Sequence, residues 1–277
     1  MVLRLAVSAT ALLVFQSVAY ANPSVIMPLA SHRAAYELSL VDPTSPPRSS
    51  AQTPIAATGL IAYEFRGSPC EGYTSNFRQL TQMERSEGEP LSTQVNAMSF
   101  EDADGKSMRF RVDSEGTPET PPIVGTATRG PDDDLRVELT KPSPKAIDFG
   151  HDVLFPTQHI ERLIEAAKKG GGAIQARVYD GSDTGAKIYA TMAVIGKEAS
   201  KPSDDAEAAT ELRGIRRWPV VVSYFDEASK DSAPEYTLSF DLYENGVSGT
   251  LKLDYGLFAL RARLQKLEIL PTPACEK

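Results

Sequence analysis

The chain has 277 residues, of which 41% are apolar, and this length excludes a peptide or a small disulfide-stapled fold. Its 29 Lys and Arg residues stand against 37 Asp and Glu residues, which gives a net charge of -8. Charged residues are interspersed with apolar ones along the chain. From the overall charge we therefore expect neither nucleic acid nor an anionic membrane surface as a partner.

The first 21 residues have the three parts of a signal peptide. Arg4 supplies the positive start, residues 5–14 form a short apolar stretch, and Ala19 and Ala21 fit a cleavage site. That stretch is too short to span a bilayer, and a retained membrane anchor is the alternative reading. We therefore expect an exported protein that does not span the membrane after signal removal, with a single β-rich domain over residues 22–277.

Alternation of apolar and polar residues, interrupted by turn residues, predicts strands along most of the chain. In the first part the predicted strands cover residues 33–40, 56–65, 72–84, 91–100, 107–112, 123–127 and 135–139. A Pro/Ser-rich loop is expected at 42–50, and a hairpin turn at 102–105. In the second part, the predicted strands cover residues 173–179, 186–195, 212–225, 236–243, 247–255 and 258–270. A polar linker at 197–211 interrupts this second series.

One amphipathic helix is predicted between the two parts. Thr157 is placed to cap it, and three glycines at 170–172 end it. The apolar face of this helix is formed by Ile160, Leu163, Ile164 and Ala167. Such a helix needs a sheet on which to pack. The predicted fold is therefore mainly β, with a single large curled or spiral antiparallel sheet of roughly a dozen or more strands and one helix packed on it.

The two cysteines, Cys70 and Cys275, are separated by 205 residues, which excludes a short-range metal knuckle or redox pair. In an oxidising compartment two such cysteines most often pair. The bridge would stabilise the fold by roughly 4–5 kcal/mol in the chain-entropy model. Two free thiols are the alternative. With Cys275 in the last strand and Cys70 in an early one, the bridge would bring the ends of the sheet together.

No motif in the sequence indicates catalysis or a cofactor. The segment at 105–107 has the last residues of a phosphate-binding loop, but Phe100 stands where that motif requires glycine. His151 and His159 flank the predicted start of the helix with a spacing that matches no recurrent zinc site. An envelope hydrolase would need one of these histidines to meet an acid or a serine. We expect no catalytic residue, no metal and no cofactor.

Aspartates also occur in pairs and triplets, at 132–134 and at 204–205. Both groups lie in polar segments, so we interpret them as solvated charges in loops. Aromatic residues, by contrast, recur on the predicted strands, and most of them should form the core. The rest could line a groove on the curled sheet. The residues expected in a groove or in structural positions are Trp218, Tyr224, Tyr243 and His159.

Five features of the sequence together resemble one known family. They are HRAAYEL at 32–38, PTQH at 156–159, YDGS at 179–182, WP at 218–219 and the two distant cysteines. The chain resembles the EipB-like cell envelope integrity proteins of Gram-negative bacteria over essentially its whole length after the signal peptide. The resemblance implies a periplasmic protein with a spiral-like sheet near a helix and a disulfide between Cys70 and Cys275. It also implies envelope stress resistance and a connection to other envelope proteins, including a tetratricopeptide-repeat partner.

The functional hypothesis is a non-enzymatic periplasmic protein that maintains cell envelope integrity by binding a protein partner or an envelope component. The alternative is a lipid or lipoprotein carrier that uses a concave apolar groove, because a curled sheet with a helix as a lid could enclose an acyl chain.

Overall fold

A computed structural model describes residues 28–41, 53–116, 120–201, 203, 205, 209–273 and 275. The predicted signal peptide and the predicted loop at 42–50 lie outside these residues. No helix among the described residues is long and apolar enough to cross a membrane.

The first half of the chain forms strands that pair antiparallel in chain order. They are β1 (His32–Leu40), β2 (Pro54–Ser68), β3 (Gly72–Arg85), β4 (Leu91–Glu101), β5 (Ser107–Glu115), β6 (Ile123–Arg129), β7 (Leu135–Lys141) and β8 (Lys145–Asp148). The β4–β5 connection is the predicted hairpin turn, in which the Asp102 carboxylate accepts hydrogen bonds from the N–H and the hydroxyl of Ser107. This strand-to-strand context supports a turn rather than a phosphate-binding loop.

The second half contains the helix and the remaining strands. They are β9 (Val153–Leu154), α1 (Pro156–Lys168), β10 (Gly172–Val178), β11 (Tyr189–Ile195), β12 (Arg217–Asp226), β13 (Tyr236–Tyr243), β14 (Ser248–Asp254) and β15 (Ala259–Ile269). The expectation of a wholly antiparallel sheet is wrong at one place, because β9 and β10 pair in parallel across the helical crossover. The sequence did not predict β8 and β9, which are too short to show alternation.

The described strands form one 15-stranded sheet that is curled and not closed. Its middle strand is β1, which pairs on one side with β15, so the first and last strands of the chain are neighbours at the centre. The sheet ends at β8 and β9, which are consecutive in sequence and joined by residues 149–152. The mainly β fold with a single large curled sheet is thus as predicted.

A disulfide joins Cys70, in the turn between β2 and β3, to Cys275, which follows β15. The two Cα atoms are 5.7 Å apart. The expectation that this bridge brings the ends of the sheet together is wrong, because β15, β1 and β2 are neighbours at its centre. The expected placement of both cysteines in strands is also wrong, because Cys70 lies in a turn and Cys275 lies beyond the last strand. The bridge therefore links segments that adjoin the central strands of the sheet.

Helix α1 packs between the two halves of the curled sheet. Leu163 on the helix belongs to a buried cluster that includes Phe65 and Tyr73 from the first half and Trp218 from the second. The helix begins at Pro156, with Phe155 as its N-cap, so the predicted cap at Thr157 is wrong by two residues. Proline at the first helical position loses no hydrogen bond, since the first N–H groups of a helix have no intrahelical acceptor.

The loop between β10 and β11 fills the concave side of the first half. Tyr179 and Ile188 are buried in a cluster with Phe110 on β5 and Leu139 on β7. Gly181 has a φ of +73° and lies so close to the Phe110 ring that a side chain would collide with it. The loop can pack this closely against Phe110 because residue 181 has no side chain.

Candidate functional site

The concave face of the sheet is the candidate site, because α1 covers only part of it. On β12, Trp218 is 1% exposed in the cluster around α1, whereas Tyr224, near the other end of that strand, is half-buried. On β13, Leu242 is buried and Tyr236 is half-buried. Burial thus decreases along both strands from the Trp218–Leu242 pair to the Tyr224–Tyr236 pair, and the last two rings keep part of their surface exposed.

On the first half of the sheet, one cross-strand row of apolar side chains extends over five strands. Tyr63 pairs with Phe77, Phe77 with Ala97, Ala97 with Val112, and Val112 with Ile123. Val112 is buried and the other four are half-buried. We call these five residues the apolar row. It provides a continuous apolar surface that is only partly covered by other residues.

On the second half, five aromatic rings form what we call the aromatic ladder. Tyr224 and Tyr236 stack with ring centroids 4.5 Å apart, and Tyr189 contacts both rings edge-on. Tyr255 continues the ladder 6.2 Å from Tyr236, and Phe258 stacks on Tyr255 at 5.1 Å. Aromatic pairs of this kind contribute beyond the area they bury. The ladder extends from the core to the β14–β15 turn, where Tyr255 is exposed.

Beside the start of α1 lies a buried polar corner. The carboxylate of Glu101, which is 5% exposed, accepts hydrogen bonds from the N–H and the hydroxyl of Thr157. Burial raises the pKa of Glu101 to about 7. A cavity of about 70 Å³ adjoins it, lined also by His32, Tyr63 and Ser75. This volume suits a few water molecules rather than an acyl chain.

The residues predicted for a groove or for structural positions are not all in one place. Trp218 is buried inside the cluster around α1, whereas Tyr224 packs against the margin of that cluster and belongs to the aromatic ladder. Tyr243 is buried in a separate cluster of β1, β2 and β15 residues. His159 is buried in the first turn of α1. Burial, followed by the nearby Arg162 charge, lowers the pKa of His159 to about 4. Of the four, Tyr224 alone lies on the partly exposed concave surface.

The two histidines at the start of the helix have different surroundings. His151 is exposed, with Nδ1 3.1 Å from an Asp134 carboxylate oxygen, whereas His159 is buried and its Nε2 has no partner among the described residues. Within the described ranges, no group of three His, Cys, Asp or Glu side chains could hold a metal ion.

Sequence reasoning missed two buried carboxylates. Glu101 is the last residue of β4 and lies four positions after Ala97, so alternation places both side chains on the inward face of the strand. This pattern could have identified Glu101 from the sequence. Asp205 was interpreted as a solvated loop charge, which is wrong: it is buried and accepts hydrogen bonds from the N–H and the hydroxyl of Thr250. Nothing in the polar linker distinguishes Asp205 from its acidic neighbours.

The fold and the site define a mainly β protein with one large curled sheet, a helix packed on it and a partly exposed apolar concave face. The chain belongs to the EipB-like family, whose profile matches residues 23–271. It is 35% identical to the cell envelope integrity protein EipB of Brucella abortus (strain 2308), over 97% of this chain and 95% of that one. It is also similar to the crystal structure of a β-barrel-like protein of a domain of unknown function from Brucella abortus. The TM-score is 0.80 and the identity 34%, over 88% of this chain and all of that one.

Proposed function

We propose that this protein maintains cell envelope integrity without catalysis, by binding an envelope component or a protein partner on its concave face. The observation that carries the proposal is the apolar row, in which four of the five side chains are only partly buried. Contiguous apolar surface that the fold leaves uncovered is typical of an interaction site. The role in envelope integrity is supported by the name of the Brucella relative.

The place of action that we propose is the periplasm, with residues 1–21 acting as a signal peptide and residues 22–277 forming one domain. A disulfide between Cys70 and Cys275 accords with an oxidising compartment. We further propose a contribution to envelope stress resistance. A tetratricopeptide-repeat protein is the class of partner that the family resemblance suggests.

A lipid or lipoprotein carrier is the second candidate function. The aromatic ladder favours it, because rings aligned from the core to an exposed rim would give an acyl chain a continuous apolar path. Under this reading α1 is a lid over one end of the path. The two candidates share the concave face and differ in the occupant.

Photocrosslinking tests both candidates at once. A photoreactive phenylalanine analogue replaces Phe77, in the apolar row, or Gln82, which is exposed on the opposite face of β3. In intact cells we expect position 77 to give specific adducts and position 82 to give fewer. A protein-sized adduct supports partner binding, whereas an adduct with the mass of a lipid supports the carrier. Equal yields at the two positions would reject the concave face as the binding site.

A further inference from the structure

The convex face of the sheet carries an open cleft of about 500 Å³ on its central strands, β15, β1, β2 and β3. Lys266, Ala35, Ala62 and Arg78 form one cross-strand row through it, since Ala35 pairs with Lys266 and with Ala62, and Ala62 pairs with Arg78. The row thus has one cation at each end, with the two alanines between them. With strands about 4.8 Å apart, the row spans about 14 Å between its outer Cα atoms.

The two outer cations are uncommitted. Arg33, which also lines the cleft, is already paired with Glu64 and, at 3.7 Å, with Glu268. Arg78 and Lys266 are exposed and have no ion pair or side-chain hydrogen bond within the described part of the chain. Their charges remain available to a ligand in the cleft.

A β-bulge sets the direction of one of these cations. The register between β1 and β15 shifts between Ala35 and Tyr36, which pair with Lys266 and Leu264. Gln265 is therefore the extra residue, and it is exposed together with Lys266. Bulges re-aim side chains in this way, and they are common beside functional sites.

An apolar pair adjoins the cationic row. Leu60 and Leu80 are directly opposite each other, 60% and 41% exposed, and each is two residues along its strand from Ala62 or Arg78. Phosphate groups are bound well by Arg and Lys, and acyl chains by exposed apolar side chains. A free phosphate would make no use of the two leucines.

We propose that this cleft binds the phosphate of an anionic phospholipid headgroup between Arg78 and Lys266, with the acyl chains over Leu60 and Leu80. The overall charge of -8 does not predict such a site, because the two uncommitted cations are concentrated locally on the convex face of an acidic chain. The site lies on the face opposite the apolar row, so it stands or falls independently of the proposed function.

The test is titration calorimetry of the full chain with monomeric dihexanoyl-phosphatidylglycerol. The variant R78Q/K266Q should bind this lipid about 25-fold more weakly, at about fivefold per cation. The matched control K145Q/R213Q removes one exposed Lys and one exposed Arg that have no side-chain partners among the described residues, and it should bind like the natural chain. Equal losses in the two variants would overturn the proposal, because general charge would then explain the binding.

Two further measurements distinguish a phospholipid headgroup from free phosphate as the ligand. L60S should weaken binding of the short-chain lipid several-fold, whereas V194S, at an exposed valine on β11, should leave it unchanged. Inorganic phosphate should bind much more weakly than the lipid. Equal affinity for inorganic phosphate and for the lipid, or no effect of L60S, would overturn the assignment to a phospholipid. Thermal unfolding of each variant checks that these exposed substitutions leave the fold intact.

Discussion

The carboxylate of Glu101 on β4 accepts hydrogen bonds from both the backbone N–H and the hydroxyl of Thr157, at 3.1 and 2.9 Å. It thereby satisfies an N–H group that has no acceptor within the helix. The contact ties the first half of the sheet to the start of α1. Burial raises the pKa of Glu101 to about 7, against the effect of the hydrogen bonds from Thr157, and the charges of Glu161 and Asp102 add to the rise.

Glu101 should make stability decrease as the pH rises. In the folded state its pKa is about 7, above the ordinary value of 4.5, so the folded state binds the proton more tightly than the unfolded state. The stabilisation is fully present below pH 4.5 and is lost as the pH rises through 7, by about 3 kcal/mol in total. Between pH 5 and pH 8, the free energy of unfolding of E101Q should rise by about that amount relative to the natural chain, as measured by urea unfolding. E87Q, which replaces an exposed acid, is the control. A difference between E101Q and the natural chain that stays constant with pH would contradict the prediction.

His159 should have the opposite effect. Its folded pKa is about 4, below the ordinary 6.5, because burial and the nearby Arg162 disfavour the charged ring. The stabilisation is present above pH 6.5 and is lost as the pH falls through 4, again by about 3 kcal/mol. The free energy of unfolding of H159L, measured with urea, should therefore rise relative to that of the natural chain as the pH falls from 7 to 4. H151L replaces an exposed histidine, and a gain of the same size there would exclude burial as the cause.

Gly181 should tolerate a side chain much less well than Gly256. Both have a positive φ, +73° and +79°, but a Cβ at 181 would lie 2.5 Å from the Phe110 ring, whereas a Cβ at 256 would meet nothing within 4 Å. We expect G256A to cost about 1 kcal/mol for its backbone conformation, and G181A about 3 kcal/mol because the clash is added. Denaturant unfolding gives both values. Equal costs would show that the loop moves away from Phe110 at no penalty.

The disulfide should contribute as a single link. C70S and C275S should each lower the free energy of unfolding by roughly 5 kcal/mol in the chain-entropy model, and the double variant by no more than either. Non-reducing electrophoresis confirms the loss of the bridge, and urea unfolding gives the energies. Additive losses would mean that each cysteine stabilises the fold separately.

Sequence patterning predicts the long strands well, because one face of each is buried and alternation follows. The strands 72–84, 91–100 and 236–243 agree with β3, β4 and β13 within one residue at each end. Alternation carries no information on which strands are neighbours when they are distant in the chain. The central pairing of β1 with β15 could therefore not be read from it.

The candidate site was predictable only in part. The aromatic content of the strands indicates an apolar inner face, and Tyr224 lies there. Trp218 is buried and Tyr224 only partly buried on the same face of β12, a difference that the alternation of that strand does not encode. The buried corner at Glu101 depends on a contact between residues 56 positions apart. The cleft on the convex face requires the register of four strands, including the bulge at Gln265.

The position of the bridge has a consequence for the order of events during biosynthesis. Cys70 emerges early, and its partner lies 205 residues later, beyond the last strand. Every other strand pairing in the sheet joins strands that follow one another in the chain, with only the helix inserted between β9 and β10. The β1–β15 seam therefore closes last, and the Cys70–Cys275 disulfide, whose formation oxidises both thiols and needs an external oxidant, can form only after the chain is complete. A chain truncated before β15 would retain a free thiol at Cys70, by which a quality-control system could recognise it.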